Sequence, residues 1–166
     1  MPMVLVGGGS RSGKSRYALE LARQRGPRRG FLATAEALDD EMRERIRQHR
    51  AERGGDFLTL EEPLELAEVI TVHAPSFDVL VVDCLTVWLS NLLLAGREPA
   101  LDKLLDAARR DPLACIFVSN EVGCGIVPDN ALARRFRDLA GEVNQRVAAL
   151  AEEVYWMAFG LPLRVK

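Results

Sequence analysis

Residues 3–15 read MVLVGGGSRSGKS: an apolar run, residues 3–6, feeds a glycine-rich segment that ends in Lys-Ser. Gly8-Gly9-Ser10-Arg11-Ser12-Gly13-Lys14-Ser15 satisfies the pattern G-x-x-x-x-G-K-[ST] in full. The residues that follow, 14–25, place Ala18, Leu21 and Ala22 at helical spacing before Gly26-Pro27 ends the run. The loop therefore lies between a predicted strand and a predicted helix. Its glycines let backbone N–H groups turn inward around an anion, and the helix N-terminus adds partial positive charge. Lys14 is then placed to reach the β- and γ-phosphates of a nucleotide, and the Ser15 hydroxyl to ligate Mg²⁺.

Outward from this loop, strand-like and helix-like segments alternate. Residues 30–34 read as a strand and 39–53 as a charged helix with an acidic first turn, Asp39, Asp40 and Glu41, suited to the positive end of the helix dipole. Residues 57–60 suit a strand and 64–72 a helix. Residues 77–82 form an unbroken apolar run closed by Asp83, as expected of a strand buried on both faces. Helices are predicted over 85–94 and 100–109, with a second buried strand over 114–119. Asp129 can cap a long helix whose stripe is Leu132, Phe136, Leu139, Ala140, Val143, Val147 and Leu150. Residues 154–159 and 163–165, flanking Gly160-Leu161-Pro162, suit a closing pair of short strands. The alternation implies one α/β domain over residues 1–166, with a mainly parallel sheet covered on both faces.

Asp83 falls where a phosphate-loop fold keeps its second metal-holding group, a carboxylate at the C-terminal end of a buried strand. No N-K-x-D sequence reads guanine, and no D-x-x-G begins at Asp83, which argues against a switch GTPase. A small-molecule kinase or a nucleotidyltransferase remains.

Bulk properties narrow the setting. The chain has 166 residues and a net charge of −2 from 22 basic and 24 acidic residues, so nothing recommends nucleic acid as a partner. Cys84, Cys115 and Cys124 form no C-x-x-C pair, and Cys84 and Cys115 read as small buried residues near strands. No leader-like segment precedes the first strand, and no apolar run is long enough to span a membrane. A reducing, cytoplasmic setting is the simplest expectation. Trp88 with Leu92, Leu93 and Leu94 suits either the core or a subunit interface.

The charged helix carries one of the two histidines. Arg45, His49 and Arg53 recur every four residues and share a face, and Arg50 flanks His49. An imidazole among guanidinium groups can attack a phosphate ester while the arginines hold its oxygens. The same spacing also describes a solvent-facing histidine on a charged helix, which is its commoner meaning. His73 has no partners in view.

Taken together, GGGSRSGKSRYA, FLATAEALDDEMRERIRQHRAER, LEEP, VLVVDCLTVWLSNLL, VSNEVGCGIVPDNALARRFRDLAGEVNQRVA and EVYWMAFGLPLRVK resemble the bifunctional adenosylcobinamide kinase/adenosylcobinamide-phosphate guanylyltransferase family of cobalamin biosynthesis. The resemblance implies a RecA-like phosphate-loop fold and two reactions. A nucleoside triphosphate, GTP or ATP, phosphorylates adenosylcobinamide. GTP then donates GMP to adenosylcobinamide phosphate through a GMP-histidine intermediate, giving adenosylcobinamide-GDP and pyrophosphate. The resemblance assigns the histidine to His49. It assigns nucleotide contacts to residues 8–15 and to Ala33, Thr34, Ala35, Arg50, Ala51, Glu52, Arg53, Glu61 and Asp83, with Ser15 and Asp83 on Mg²⁺. It also implies a homotrimer with its active site near a subunit boundary. The segment 122–128, with Gly123 and Gly125, reads either as a mobile loop near the corrinoid or as an ordinary surface loop. The chain is slightly short around 53–56 and 99–111, where loops are expected. Two other readings stand beside it: a monofunctional phosphate-loop kinase with a structural His49, and a nucleotide-binding regulatory subunit without turnover.

Overall fold

The computed structural model describes residues 2–37 and 39–166, with the side chains of Arg45 and Glu52 outside that description. Seven strands form one sheet: β1 (Met3–Gly8), β2 (Arg29–Ala33), β3 (Leu58–Glu61), β4 (Val79–Asp83), β5 (Ala114–Asn120), β6 (Glu153–Ala158) and β7 (Leu161–Arg164). Their order across the sheet is β3-β2-β4-β5-β1-β6-β7, parallel throughout except for β7, which returns antiparallel to β6. The helices are α1 (Lys14–Arg23), α2 (Asp40–Arg53), α3 (Leu66–His73), α4 (Leu85–Leu94), α5 (Leu101–Ala108) and α6 (Ala131–Leu150). The predicted mainly parallel α/β sheet is the observed one, and no described helix is long and apolar enough to cross a membrane.

Side-chain alternation along the central strands divides the core into two layers. Met3, Leu5, Leu80, Val82, Cys115 and Phe117 face α3, α4, α5 and α6. Val4, Val6, Val79, Val81, Ile116 and Val118 face α1, with Phe31 and Phe57 beside it. β1, β4 and β5 are thus apolar on both faces because both faces are covered. Trp88 and Leu92 belong to the first layer, which resolves their two readings in favour of the core, while Leu94 stays outside. Cys84 and Cys115 are buried, as their positions near strands suggest.

Several element ends differ from the sequence expectation. The cap of α6 is Asn130, whose side chain accepts from the Ala133 N–H, and not Asp129. Either residue type caps well; the backbone turns helical one residue later. Leu132 and Leu150 drop out of the α6 stripe: both are exposed, although Ala148 and Ala151 on either side of Leu150 pack on the first core layer. β4 begins at Val79 because Ala74–Ser76 wind into a short 3₁₀ turn. The β6–β7 turn is Phe159-Gly160, both at positive φ, so Leu161 and Pro162 already belong to β7. Two positive-φ residues match the right-handed twist of the flanking strands.

Candidate active site

The phosphate loop links the end of β1 to the start of α1. Gly8 has φ 144°, and a Cβ there would lie 2.9 Å from the Met157 carbonyl oxygen, so the loop can leave the sheet only through a residue without a side chain. Lys14 is buried along its stem; its Nζ donates to the Gly9 carbonyl and lies 3.4 Å from Ser12 Oγ. The ammonium is thereby held within the loop. Burial lowers its pKa, opposed by electrostatic interaction with Cys84 and Asp83.

Asp83 ends β4, two strands from the loop in the sheet order. Burial pushes its carboxyl pKa up, against a hydrogen bond from Ser15 and electrostatic interactions with His49, Lys14 and Arg53, all of which pull it down. The strand end is fixed from the side by Thr34. Its hydroxyl lies 3.2 Å from the Asp83 carbonyl and 2.9 Å from the Cys84 carbonyl, and it accepts from the Cys84 N–H at 2.9 Å. Ser15 hydroxyl beside Asp83 carboxylate is a pair of hard oxygen donors. That set fits Mg²⁺, which takes one or two protein ligands and completes its shell with water and substrate phosphate. Among the described residues no cluster of three or more His, Cys, Asp or Glu forms a dedicated metal cage.

The opposite wall is α2. Its N-cap is Asp39, which accepts from the Met42 N–H at 2.7 Å. Its attachment to the body is made of arginine. Arg53 is only 4% exposed, and its guanidinium carbon lies 3.9 Å over the Phe31 ring. The Arg53 carbonyl accepts from Arg23 Nη2 at 3.2 Å, while Arg23 reaches Asp56 at 3.4 Å and lies 5.5 Å over the Phe57 ring. Arg50 is paired with Glu61 at the end of β3. Burial and the neighbouring Arg50 lower the Arg53 pKa, and Asp83 and Glu61 oppose them.

Between the two walls lies a cleft of about 670 Å³. From the sequence-predicted set it gathers Ser10, Arg11, Ser12, Gly13, Lys14, Ser15, Ala33, Ala35, His49, Arg50, Arg53, Glu61 and Asp83. The lining does not include Gly8, Gly9, Thr34 or Ala51: the two glycines shape the loop, Thr34 is turned onto the β4 end, and Ala51 faces solvent. The side chains of Glu52 and Arg45 lie outside the described residues. His49 is exposed, yet it borders the same cleft as the loop. On the other side of α2 a second hollow of about 600 Å³ shares Ala35, Ile46, Arg50 and Glu61 with the first and adds Arg43 and Arg47.

Sequence reasoning missed part of this lining. Leu19, Arg23, Phe31, Met42 and Ile46 form an apolar and cationic pocket, and Val118 and Asn120 come from β5. The signal was present in the parallel strands, whose C-terminal ends face the ligand crevice in open α/β sheets.

A family profile described as "Cobinamide kinase / cobinamide phosphate guanyltransferase" matches residues 4–165. The bifunctional adenosylcobalamin biosynthesis protein CobP of Pseudomonas aeruginosa is 45% identical over 166 residues, covering 98% of this chain and 96% of its own. CobU of Salmonella typhimurium, of the same description, is 40% identical over 181 residues, covering 99% of both chains. Among solved structures, the flagellar accessory protein FlaH of Methanocaldococcus jannaschii aligns at TM-score 0.60 and 13% identity, covering 99% of this chain and 78% of that one. A type III secretion ATPase of pathogenic bacteria aligns at 0.59 and 15%, covering 98% and 56%. The structural likenesses show a RecA-like phosphate-loop fold and no more. The near full-length match at high identity shows the rest: this chain belongs to the cobinamide kinase/cobinamide phosphate guanyltransferase family.

Proposed function

We propose that this one cleft carries out both reactions for which the family is named, phosphorylation of adenosylcobinamide and transfer of GMP to the resulting phosphate. The observation that carries the reading is that His49, on α2, borders the same cleft as Lys14, Ser15 and Asp83. In the kinase step the aminopropanol hydroxyl attacks the γ-phosphorus of GTP or ATP. The bond to the β–γ bridging oxygen breaks, the nucleoside diphosphate leaves, and the hydroxyl proton goes to solvent. Lys14 and the loop amides hold the phosphates in line and stabilise the charge on the leaving oxygen. In the second step an imidazole nitrogen of His49 attacks the α-phosphorus of GTP and pyrophosphate departs. A phosphate oxygen of adenosylcobinamide phosphate then displaces the imidazole, giving adenosylcobinamide-GDP. Mg²⁺, held by Ser15 and Asp83, supplies charge neutralisation on the phosphates when bound. Arg50, Arg53 and Glu61, with Ala33 and Ala35, line the nucleotide on the α2 side.

Splitting guanylyl transfer in two lets one cleft accept a nucleotide and a bulky corrinoid in turn. The loop 122–128, with Ile126 98% exposed, borders the end of β5 and supports a place for that corrinoid near the cleft. The exposed apolar residues Phe159, Leu161, Leu163 and Val165 of the C-terminal hairpin support a homotrimer, whose mass by light scattering is the check.

GTP labelled at the α-phosphate, incubated with protein and Mg²⁺, tests the reading. Acid-labile, alkali-stable label should remain on the denatured protein and be absent in His49→Ala, while γ-label should not be retained. If no α-label is retained at ample GTP, His49 is not the nucleophile and the chain is a kinase alone. If GTP survives intact for hours with adenosylcobinamide present, the chain is a nucleotide-binding subunit.

A further inference from the structure

Thr34 stands one residue beyond β2, in the segment that the family resemblance gives to the nucleotide, yet it is wholly buried and does not line the cleft. Its polar atoms are spent on neighbouring main chain. The Thr34 N–H donates to the Asp83 carbonyl at 3.0 Å. Its hydroxyl donates to the Cys84 carbonyl and accepts from the Cys84 N–H, both at 2.9 Å. The Thr34 carbonyl in turn accepts from Asn91 Nδ2 at 2.8 Å, and the same amide group reaches the Pro63 carbonyl at 3.1 Å. Asn91 lies on α4, which begins two residues after Asp83. Three segments therefore meet through Thr34 and Asn91: the end of β4, the chain leaving β2 for α2, and the turn after β3.

Asp83 needs such a frame. Ala33–Asp83 and Asp83–Val118 are the last register pairs of β4 on its two sides. Beyond them no strand neighbour fixes the main chain, and strand ends without partners open easily. The Thr34 hydroxyl takes over at that point. A hydroxyl donates and accepts at once, so it can close on both main-chain polar groups of Cys84. Valine matches its shape and can do neither. The course of the main chain through Asp83 and Cys84 sets where the Asp83 carboxylate points, and Ser15 meets that carboxylate from the phosphate loop.

The geometry points to Thr34 as a positioning residue and not a nucleotide contact: with Asn91 behind it, its hydroxyl holds the main chain of Cys84 and so aims the Asp83 carboxylate at Ser15. This rests on the proposed reading of Ser15 and Asp83 as the residues that hold Mg²⁺. A metal-holding carboxylate works only while its own orientation is locked by neighbours, and loss of such a neighbour weakens metal binding about 10- to 100-fold. Both reactions draw on the same carboxylate, so Thr34 serves the cleft as a whole.

The test measures affinity for a fluorescent GDP analogue in Mg²⁺ and in EDTA, so that no turnover enters the readout. The ratio of the two affinities is the gain due to the metal. Thr34→Val should lower that ratio about tenfold and leave the affinity in EDTA within about twofold. Thr34→Ser, which keeps the hydroxyl, should hold the ratio within about threefold of the unaltered protein. Asn91→Asp, which keeps the size and loses both donors, should lower it by about threefold. Asp83→Asn should abolish most of the gain, and adding Thr34→Val to it should change the ratio by less than about twofold, because Thr34 acts through that carboxylate. Equal losses in Mg²⁺ and in EDTA would make Thr34 a nucleotide contact and overturn the positioning role. So would a ratio unchanged in Thr34→Val, or a full further loss in the double variant. A ratio unchanged in Asp83→Asn would remove Asp83 from the metal, and the positioning role would fall with that reading. Should Thr34→Val fail to fold, Asn91→Asp alone and combined with Asp83→Asn decides the same question.

Discussion

The two walls of the cleft are built from opposite materials. The sheet wall ends β1, β4 and β5, whose apolar residues from Val79 to Val82 and from Ala114 to Phe117 are fully buried. The α2 wall buries arginine: Arg53 is its one buried side chain among those described, and Arg50 is ion-paired with Glu61 at the end of β3. A wall packed on both faces cannot shift without opening voids, whereas a wall held by polar contacts can re-form them elsewhere. The contrast fits the labour assigned to each side. In the proposed mechanism the sheet holds phosphates in one place, and α2 brings a nucleophile to them.

The largest effect should come from the sheet wall's own packing. Phe117→Ala, in the centre of β5, is expected to cost about 3–5 kcal/mol of unfolding free energy, read from urea denaturation. An unchanged midpoint would break the distinction between the walls. Next, Lys14→Ala should lower both γ-transfer and α-label retention by about 10²- to 10³-fold, because both reactions draw on the phosphates it holds. A loss in one assay only would mean that the triphosphate binds in two separate modes. Arg53→Met, which keeps mass over the Phe31 ring and removes the charge, should slow α-label retention about tenfold and γ-transfer by less than threefold. Its unfolding free energy, read from urea denaturation, should fall, since the change removes one charge and leaves Asp83 and Glu61 without it.

The effect of pH sharpens the same contrast. Burial raises the Asp83 pKa, so on acidification the empty cleft takes up its proton earlier than an ordinary aspartate would. The neutral acid offers Mg²⁺ no charge. Mg²⁺-dependent nucleotide affinity should therefore weaken as pH falls through the acidic range, by at most tenfold per pH unit, and Asp83→Asn should flatten the profile. The sign for stability without nucleotide is the reverse: the folded state binds this proton more tightly than the unfolded chain, so that contribution is present at low pH and lost as pH rises through the folded value. Smallest of all, Ile46→Ala, half-buried on α2, should change unfolding free energy by under about 1 kcal/mol.

What could be read from the residues alone follows the same division. The phosphate loop, Asp83 and the buried strands were legible because each is a local pattern with a local cause: an anion needs glycines and amides, and a doubly covered strand needs unbroken apolar residues. The long helix was legible in its middle and misread at its ends, because Leu132 and Leu150 are periodic yet exposed, and period alone does not say which positions a neighbour covers. The cap moved from Asp129 to Asn130 because adjacent residues of equal aptitude cannot be told apart by composition. Asn120 could be suspected from its place at the end of a parallel strand, but Phe31 and Arg23 were out of reach, since their place in the cleft depends on which elements become neighbours. His49 lay between the two cases. Spacing put it beside arginines, but only the crossover from β2 to β3 brings it to the cleft.

That α2 is anchored by a guanidinium also decides how the solvent acts on it. An apolar latch tightens when sulfate is added, because excluded salts strengthen burial. Arg53 lies over an aromatic ring and is attracted by the charges of Asp83 and Glu61, and dissolved ions compete for its charge once it moves outward. Rising ionic strength should therefore loosen the helix that carries His49 while leaving the sheet beneath it untouched.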